Sequence, residues 1–535
     1  MQSSTNSVDV IAQAKAWLDI CSRQHACLRS RHSWLLEKNG SALPTRLIDI
    51  GTHLPLEPLL RSTIDIDPGS KYLTLSHCWG NYVPKRLLST NITAMKQSIA
   101  FAELSQTFQD AMTVTYRLGL RYIWIDSLCI IQDSRDDWEK ESMRMCHIYS
   151  NSFCNLCATA SVDGSGGLFR DRDVRTLASV RVRAGSRARI VMDQFIWLRN
   201  VNDAPLNCRA WVFEEKLLSP RNLHFSARQV FWECNEFAAC ESLPIGFPLD
   251  LVTSSSTGAG HADLGISQRI FRSANHDHPD LYALWASIVA NYSNCRLTQE
   301  TDKLVAFGGI AERMQLILDD TYLAGLWRRH LARHLLWRCF DRNSSEPRQY
   351  VAPSWSWASL IGEVHLRGNI DFTTGRDMID IINTHVELAT KNAFGQVKSG
   401  TISLRGKLFR LVTVQEKDQQ PSSLTPAIWA ECLVPAKNSV FEFDVKIVAG
   451  TRIPRNHNNL LGLLVADNLR VFEGVLLQAT DSVGHFRRLG LFITWEVDRA
   501  LVEAAVQCFD AKASESGLEY VDDENGSYQY IVTLI

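Results

Sequence analysis

The sequence predicts an α/β protein built on a parallel-sheet core and followed by an α+β region with a β-rich end. Three observations predict this. Residues 72–159 read strand, helix, strand, helix, strand, and such alternation buries a parallel sheet between helical layers joined by right-handed crossovers. The run Tyr122-Ile-Trp-Ile-Asp-Ser-Leu-Cys-Ile-Ile131 is apolar on both alternating faces, as expected of a central strand covered on each side. After Trp355, β-prone runs dominate.

The elements follow in order. Residues 1–69 form an N-terminal extension, with a helix over 8–28 docked through Trp17, Leu18 and Cys21 and a short strand within Leu43–Gly51. The α/β domain covers 70–252. Its first strand is Tyr72–Ser76. Apolar groups at Leu104, Phe108, Ala111, Met112 and Leu118 have helical spacing. Tyr122–Ile131 is the second strand. A helix capped by Asp136 or Asp137 then runs to about Tyr149, and Phe153–Thr159 is the third strand. Trp211–Leu218 reads as a short helix, and Asn222–Phe225 with Gln229–Cys234 as paired strands. The low-complexity run Thr253-Ser-Ser-Ser-Thr-Gly-Ala-Gly260 marks the main boundary. Residues 261–345 are mostly helical, and 346–535 form a β-rich domain with a polar insertion at Glu416–Pro426.

Composition narrows the function. The 535 residues carry 56 Lys+Arg against 58 Asp+Glu, a net charge of −2, which excludes bulk-charge gripping of nucleic acid or an anionic membrane. The N-terminus lacks the basic start and apolar core of a secretory signal. No run reaches the roughly 18 apolar residues a membrane helix needs. An intracellular, cytoplasmic chain is therefore expected, with its 14 cysteines as reduced thiols. Cys154-x-x-Cys157 lies inside a strand and lacks a second pair at zinc spacing, so it reads as packing. Cys21, His25 and Cys27 offer three metal donors, but the sequence names no fourth, and packing is again the reading; no metal is assigned. The Trp-rich Pro353-Ser-Trp-Ser-Trp-Ala-Ser359 reads as core rather than a stacking platform.

In open parallel sheets, ligands bind beyond the carboxyl ends of the strands. That rule selects Ser76, His77, Cys78, Trp79 and Gly80 after the first strand, and Asp126 and Ser127 near the end of the second. They form either a polar pocket or a set of loop-capping groups. Glu141, three residues after Trp138 and four before Met145, points toward a buried helical face; Glu215 stands likewise between Trp211 and Leu218. The two carboxyls are either a general acid/base pair or buried partners of Arg121, Arg144 or Arg221. Phosphate loops, a dinucleotide fingerprint and a hydrolase nucleophile elbow are absent from the sequence.

Three blocks carry a resemblance. Tyr72-Leu-Thr-Leu-Ser-His-Cys-Trp-Gly80, Leu118–Gln132 with Asp137, Trp138, Glu141, Met145 and Tyr149, and Arg209–Arg221 with Leu223-His-Phe225 and Trp232-Glu-Cys234 resemble the fungal heterokaryon-incompatibility (HET) domain. The family usually has Gly, Gln and Arg where this chain has Ala210, Glu214 and Lys216, which alters local charge and removes a bidentate fork. The resemblance implies a TIR-like, flavodoxin-like core and a role in non-self recognition and programmed cell death. It further implies self-association or a partner protein. Through the remote likeness to TIR domains, it makes NAD the candidate substrate, with Glu141 after Trp138 as the helix-borne acid. No cofactor is otherwise implied. The catalytic candidates are Glu141, His77, Cys78, Asp126 and Glu215, and the ligand-contacting candidates are Ser76, Trp79, Gly80, Ser127 and Trp138. A recruited enzyme of secondary metabolism, acting on a small molecule in the cleft of His77, Cys78, Asp126 and Glu141, is the other reading.

Overall fold

Tyr72–Ser76 (β3) is buried at every position, because it pairs in parallel on both edges and is covered on both faces. The computed structural model describes residues 2–27, 43–177, 180–184, 187–191, 193, 195–247, 281–339, 341, 344–367, 375–414, 427–430, 439–443, 460–468, 471–495, 499–522 and 528–535. The chain divides into two compact units. The first holds residues 1–279, 295–297 and 306–310, and the second holds the rest. The linker at 253–260 and the insertion at 416–426 lie outside the described residues.

The first unit is a mixed α/β body around a sheet with parallel strands at its centre. β4 (Tyr122–Trp124) and β5 (Cys154–Cys157) flank β3 in parallel, and β8 (Arg221–Phe225) runs parallel to β5. Antiparallel strands finish both edges: β1 (Arg46–Asp49) and β2 (Leu59–Ser62) beyond β4, and β9 (Val230–Cys234) and β10 (Ala238–Cys240) beyond β8. The order is β10-β9-β8-β5-β3-β4-β1-β2. A separate hairpin joins β6 (Val180–Ala184) to β7 (Arg187–Val191).

Helix α1 (Val8–Gln24) buries Val10, Ile11, Ala14, Trp17, Leu18 and Cys21 along one stripe. Trp17 stacks on Trp232 of β9, and its Nε1 donates to the Pro244 carbonyl at 2.9 Å. After α2 (Ile92–Gln97), helix α3 (Gln106–Arg117) starts at Ser105, whose hydroxyl accepts from the Phe108 N–H. It ends at Gly119, whose φ of +84° is the left-handed conformation that glycine supplies at no steric cost.

Three local predictions are corrected. The second strand stops at Trp124, and Asp126–Cys129 (α4) turns as one helical turn. The Gln132 amide bridges the carbonyls of Asp126 and Ile130, fixing that turn. The following helix is two helices, α5 (Arg135–Ser142) and α6 (Met145–Asn151), broken at Met143 and Arg144. Ser134, not Asp136 or Asp137, caps α5 by accepting from the Asp137 N–H; the two aspartates fill its first turn, where the helix dipole favours them. Helix α7 (Ala210–Leu218) then leads into β8.

The second unit begins with α8 (Leu281–Ser293). Its large sheet uses β11 (Ile379–Leu388), β12 (Val397–Gly406), β13 (Leu408–Val414), β14 (Ala427–Ala430), β15 (Ser439–Phe443), β16 (Leu460–Asp467), β17 (Val471–Ala479), β18 (His485–Trp495) and β19 (Tyr528–Leu534). The path is β11-β12-β19-β18-β17-β16-β13-β14, with β15 paired to β18. Helix α9 (Arg499–Asp510) packs Val502, Ala505 and Val506 against Phe409, Leu464, Phe472 and Phe492. Trp355 and Trp357 are fully buried, and their indole N–H groups donate to the carbonyls of Gly400 and Gly325. The Trp-rich motif is core.

Among the described residues, 12 cysteines form no disulfide and Cys508 is disulfide-bonded, against the all-thiol expectation. No helix of the described residues is long and apolar enough to cross a membrane.

Candidate functional site

The central strands carry polar side chains where their neighbours are apolar. Thr74 of β3 stands opposite Asn155 of β5, Asn155 opposite Asn222 of β8, and Asn222 opposite Glu233 of β9. Two residues further along, on the same face, Ser76 faces Cys157 and Cys157 faces His224. All seven are buried. Burial is tolerable because they satisfy one another. The Asn155 amide donates to Ser76 Oγ at 2.9 Å and to Asn222 Oδ1 at 3.1 Å, while its oxygen accepts from Thr74 at 3.0 Å. Asn222 donates to Glu233 Oε1 at 3.1 Å, and His224 Nε2 lies 3.3 Å from the same oxygen. Burial pushes His224 below its ordinary value, so the ring is neutral and donates from Nε2. Burial also raises Glu233, but the His224 contact and the Lys216 charge outweigh it and hold the carboxylate low.

This network ends at Glu215. Ser76 Oγ donates to its carboxylate, and Tyr149 also bonds it. Burial pushes the Glu215 carboxyl up to about 7. The Asp126 charge adds to the rise, while the Ser76 and Tyr149 hydrogen bonds and the Arg209 charge oppose it. A group poised near neutrality can both give and take a proton.

The solvent-facing side is built by β3's exit and α4. Asp126 Oδ2 accepts from Trp79 Nε1 at 3.0 Å, and Oδ1 accepts from the Ser127 N–H at 2.6 Å. His77 Nδ1 is 3.8 Å from Asp126 Oδ1, beyond hydrogen-bond range. The His77 ring stacks on Trp79 and meets Phe108 edge-on. Burial lowers its pKa, and the Arg209 charge adds to this against the pull of Asp126, so the imidazole is neutral. The Asp126 side chain is 30 % exposed and that of His77 only 2 %, so the aspartate forms the rim and the histidine the wall. Gly80 continues the rim with φ +57°, and a Cβ there would lie 2.6 Å from the Val162 carbonyl oxygen.

Other candidates are placed differently. Cys78 packs in an apolar cluster with Cys157, Leu206 and Val212, and burial raises its thiol pKa, which makes it a poor nucleophile. Ser127 is buried, and its hydroxyl has no hydrogen-bond partner among the described residues. Trp138 is half-buried. Glu141 is fully buried in a knot with the N-terminal extension. Its Oε1 accepts from Thr45 at 2.6 Å and lies 3.9 Å from Arg46 and 4.0 Å from Arg144. Arg46 also grips Asp137 at 2.6 Å. Of the arginines expected as partners, only Arg144 reaches Glu141; Arg121 pairs with Asp49, and Arg221 donates to Cys21 Sγ. The contacts therefore bring together Ser76, His77, Trp79, Asp126, Ser127 and Glu215, and leave Glu141 in a different set. Glu214, one of the departures from the family pattern, accepts from the Gly309 N–H at 2.8 Å.

Asn155 and Asn222 were not named as site candidates from the sequence, and His224 and Glu233 stood there only inside the blocks that carry the resemblance. Their signal is a polar residue at every second position of otherwise apolar strands, visible in Thr74/Ser76 and Asn222/His224. An open polar cavity of about 440 Å³ lies elsewhere, lined by Gln106, Asp110, Phe169 and Arg170 among others, and none of the candidates lines it. Cys154 and Cys157 stand three apart on one strand, hence on opposite faces, and cannot chelate together. Cys21, His25 and Cys27, in contrast, converge with Cys234.

Residues 72–215 match the family model described as Heterokaryon incompatibility protein (HET). No curated protein and no solved structure matches the chain. The matched span opens on the first residue of β3 and closes on Glu215, so it takes in Ser76, Asn155 and Glu215 and leaves Asn222, His224 and Glu233 beyond its end; residues 72–215 of this chain are a HET domain.

Proposed function

We propose that the chain is a heterokaryon-incompatibility-type protein that acts in non-self recognition and triggers programmed cell death through residues 72–215. The observation that carries this reading is the family match over the strands and helices that build the Ser76–Glu215 cluster. The parallel run β8-β5-β3-β4 supports a TIR-like, flavodoxin-like architecture for the domain. The reading places the chain in the cytoplasm and has it act through self-association or a partner protein. Inducible expression of the full chain in a filamentous fungus tests it. Loss of viability is expected, and it should be reduced by Asp126→Ala at equal protein level. Normal growth at high accumulation would remove the cell-death role.

A second reading is favoured by one observation, the Glu215 carboxyl at about 7 beside Ser76 and near Asp126. The domain is then an enzyme, either a TIR-like NAD glycohydrolase or a recruited biosynthetic catalyst. Glu215 is its proton carrier, Asp126 and Trp79 form the ligand-facing rim, and Glu141 is structural. In NAD cleavage, water would add to the ribosyl anomeric carbon, its proton passing to a base, and nicotinamide would leave with the bonding electron pair. Incubating purified chain with NAD and measuring nicotinamide tests this. Release lost in Glu215→Gln but kept in Glu141→Gln supports it, and no release by wild type removes NAD as the substrate.

A further inference from the structure

The last turn of α1 with the residues just after it, and the end of β9, bring four metal-ligating side chains to one point. The ligand atoms of Cys21, His25, Cys27 and Cys234 all lie within 4.8 Å of one another. His25 Nδ1 is 3.3 Å from Cys234 Sγ. In a tetrahedral zinc site, Zn–S bonds of about 2.3 Å and Zn–N bonds of about 2.0 Å set donor separations of roughly 3.5–3.8 Å. The cluster needs only small rotations to meet that geometry. Three of the donors are buried, and His25 is partly so.

A second observation points the same way. Arg221 at the start of β8 is fully buried. Its Nε donates to Cys21 Sγ at 3.1 Å, Nη1 to the Phe153 carbonyl at 3.0 Å and Nη2 to Ser22 Oγ at 3.3 Å. Among the described residues it pairs with no carboxylate. A buried guanidinium without a counter-charge is costly. Three thiolates and one neutral imidazole around a divalent ion carry a net charge of −1, which is the counter-charge Arg221 needs. Hydrogen bonding to a ligand sulfur is also how neighbouring groups orient and tune such sites.

We propose that Cys21, His25, Cys27 and Cys234 form a structural zinc site that fastens the N-terminal helix to the end of β9 in the sheet of the first unit. The ligand pattern is Cys-x3-His-x-Cys from one segment, closed by a cysteine more than 200 residues later in sequence. Four protein ligands leave no open coordination position, so the site is structural rather than catalytic. Glu236 accepts from the Ala26 N–H at 2.5 Å, so the loop between the second and third ligands is also tied to the turn that follows the fourth. The site lies entirely within the first unit.

The full chain, purified under reducing conditions without chelator, tests the assignment by elemental analysis. About one zinc per chain is expected. Cys234→Ser and Cys21→Ser should lose it, and Cys154→Ser, a buried thiol in β5, should keep it. Because a serine variant can misfold, Co²⁺ is also exchanged into the wild-type chain. Thiolate-to-cobalt charge-transfer bands and the strong visible bands of a tetrahedral site are expected, and His25→Cys should retain metal with a shifted spectrum. Metal-free reduced protein, a disulfide among Cys21, Cys27 and Cys234, or zinc retained in Cys234→Ser would each overturn the site.

Discussion

Glu215 and Glu141 are both buried carboxyls on short helices, yet only one is surrounded by cations. Glu141 lies near Arg46 and Arg144 and accepts from Thr45, so it closes a charge knot. Removing one member of a buried knot strands the others. Glu141→Ala is therefore expected to cost about 3 kcal/mol or more and to lower the melting temperature. Glu141→Gln, which can still accept from Thr45, should cost less. Calorimetry of the two variants checks this, and an unchanged melting temperature in Glu141→Ala would return Glu141 to the catalytic candidates. Glu215 has no arginine or lysine within ion-pair reach among the described residues, and burial raises its pKa from 4.5 to about 7. The sign follows from linkage: with the folded value above the unfolded one, folding takes up a proton between them. The stability contributed by the protonated form is complete below about 4.5 and is lost as pH rises through about 7. The loss is about 3 kcal/mol over that window. Glu215→Gln cannot titrate, so its stability should fall less steeply over this range in pH-dependent urea unfolding. An identical slope in wild type and variant would mean that Glu215 ionises normally. Helical spacing alone showed that both glutamates face inward, because a side chain's direction is set by its turn. It could not show which carboxyl meets arginine, because Arg46 arrives from a strand 95 positions earlier in sequence than Glu141 and no local period links them.

At the scale of the element, legibility followed the same division. The alternation of strand and helix was readable because burial on two faces leaves a continuous apolar run, and β3, α3 and β5 lie where that pattern puts them. The run Tyr122–Ile131 misled for the same reason. A buried helical turn at Asp126–Cys129 is as apolar as a strand, and composition does not separate the two. The break at Met143 and Arg144 was likewise hidden, since neither residue is a helix breaker. The turn after β3 offers a test of packing between elements. Gly80 and Gly119 share positive φ, +57° and +84°, but a Cβ on Gly119 meets nothing within 4 Å, whereas one on Gly80 meets Val162 backbone and Asp163. Gly119→Ala is expected to cost about 1 kcal/mol from conformation alone. Gly80→Ala should cost measurably more in the same denaturant titration, and equal costs would show that the two loops do not touch.

At the scale of the whole molecule, the first unit is not a continuous stretch. Residues 295–297 and 306–310 belong to it. Arg296 exchanges backbone hydrogen bonds with Cys208 and Ala210 at 2.6 and 3.0 Å, and Gly309 donates to Glu214. Each such bond contributes about 1 kcal/mol. A fragment ending at 279 is therefore expected to unfold at lower urea than one ending at 310, and coincident midpoints would make those segments dispensable. Composition could not reveal this return of the chain, because the recruited segments contribute backbone groups rather than a recognisable side-chain pattern.

The polar row across β3, β5, β8 and β9 has one more consequence. If any of these strands paired one position out of step, Asn155, Asn222 or Glu233 would turn toward the opposite, apolar covering with nothing to accept from or donate to. A purely greasy sheet would tolerate such slippage cheaply. This one penalises it at the three seams that join β3, β5, β8 and β9, so polar partners as well as burial hold those strands in step.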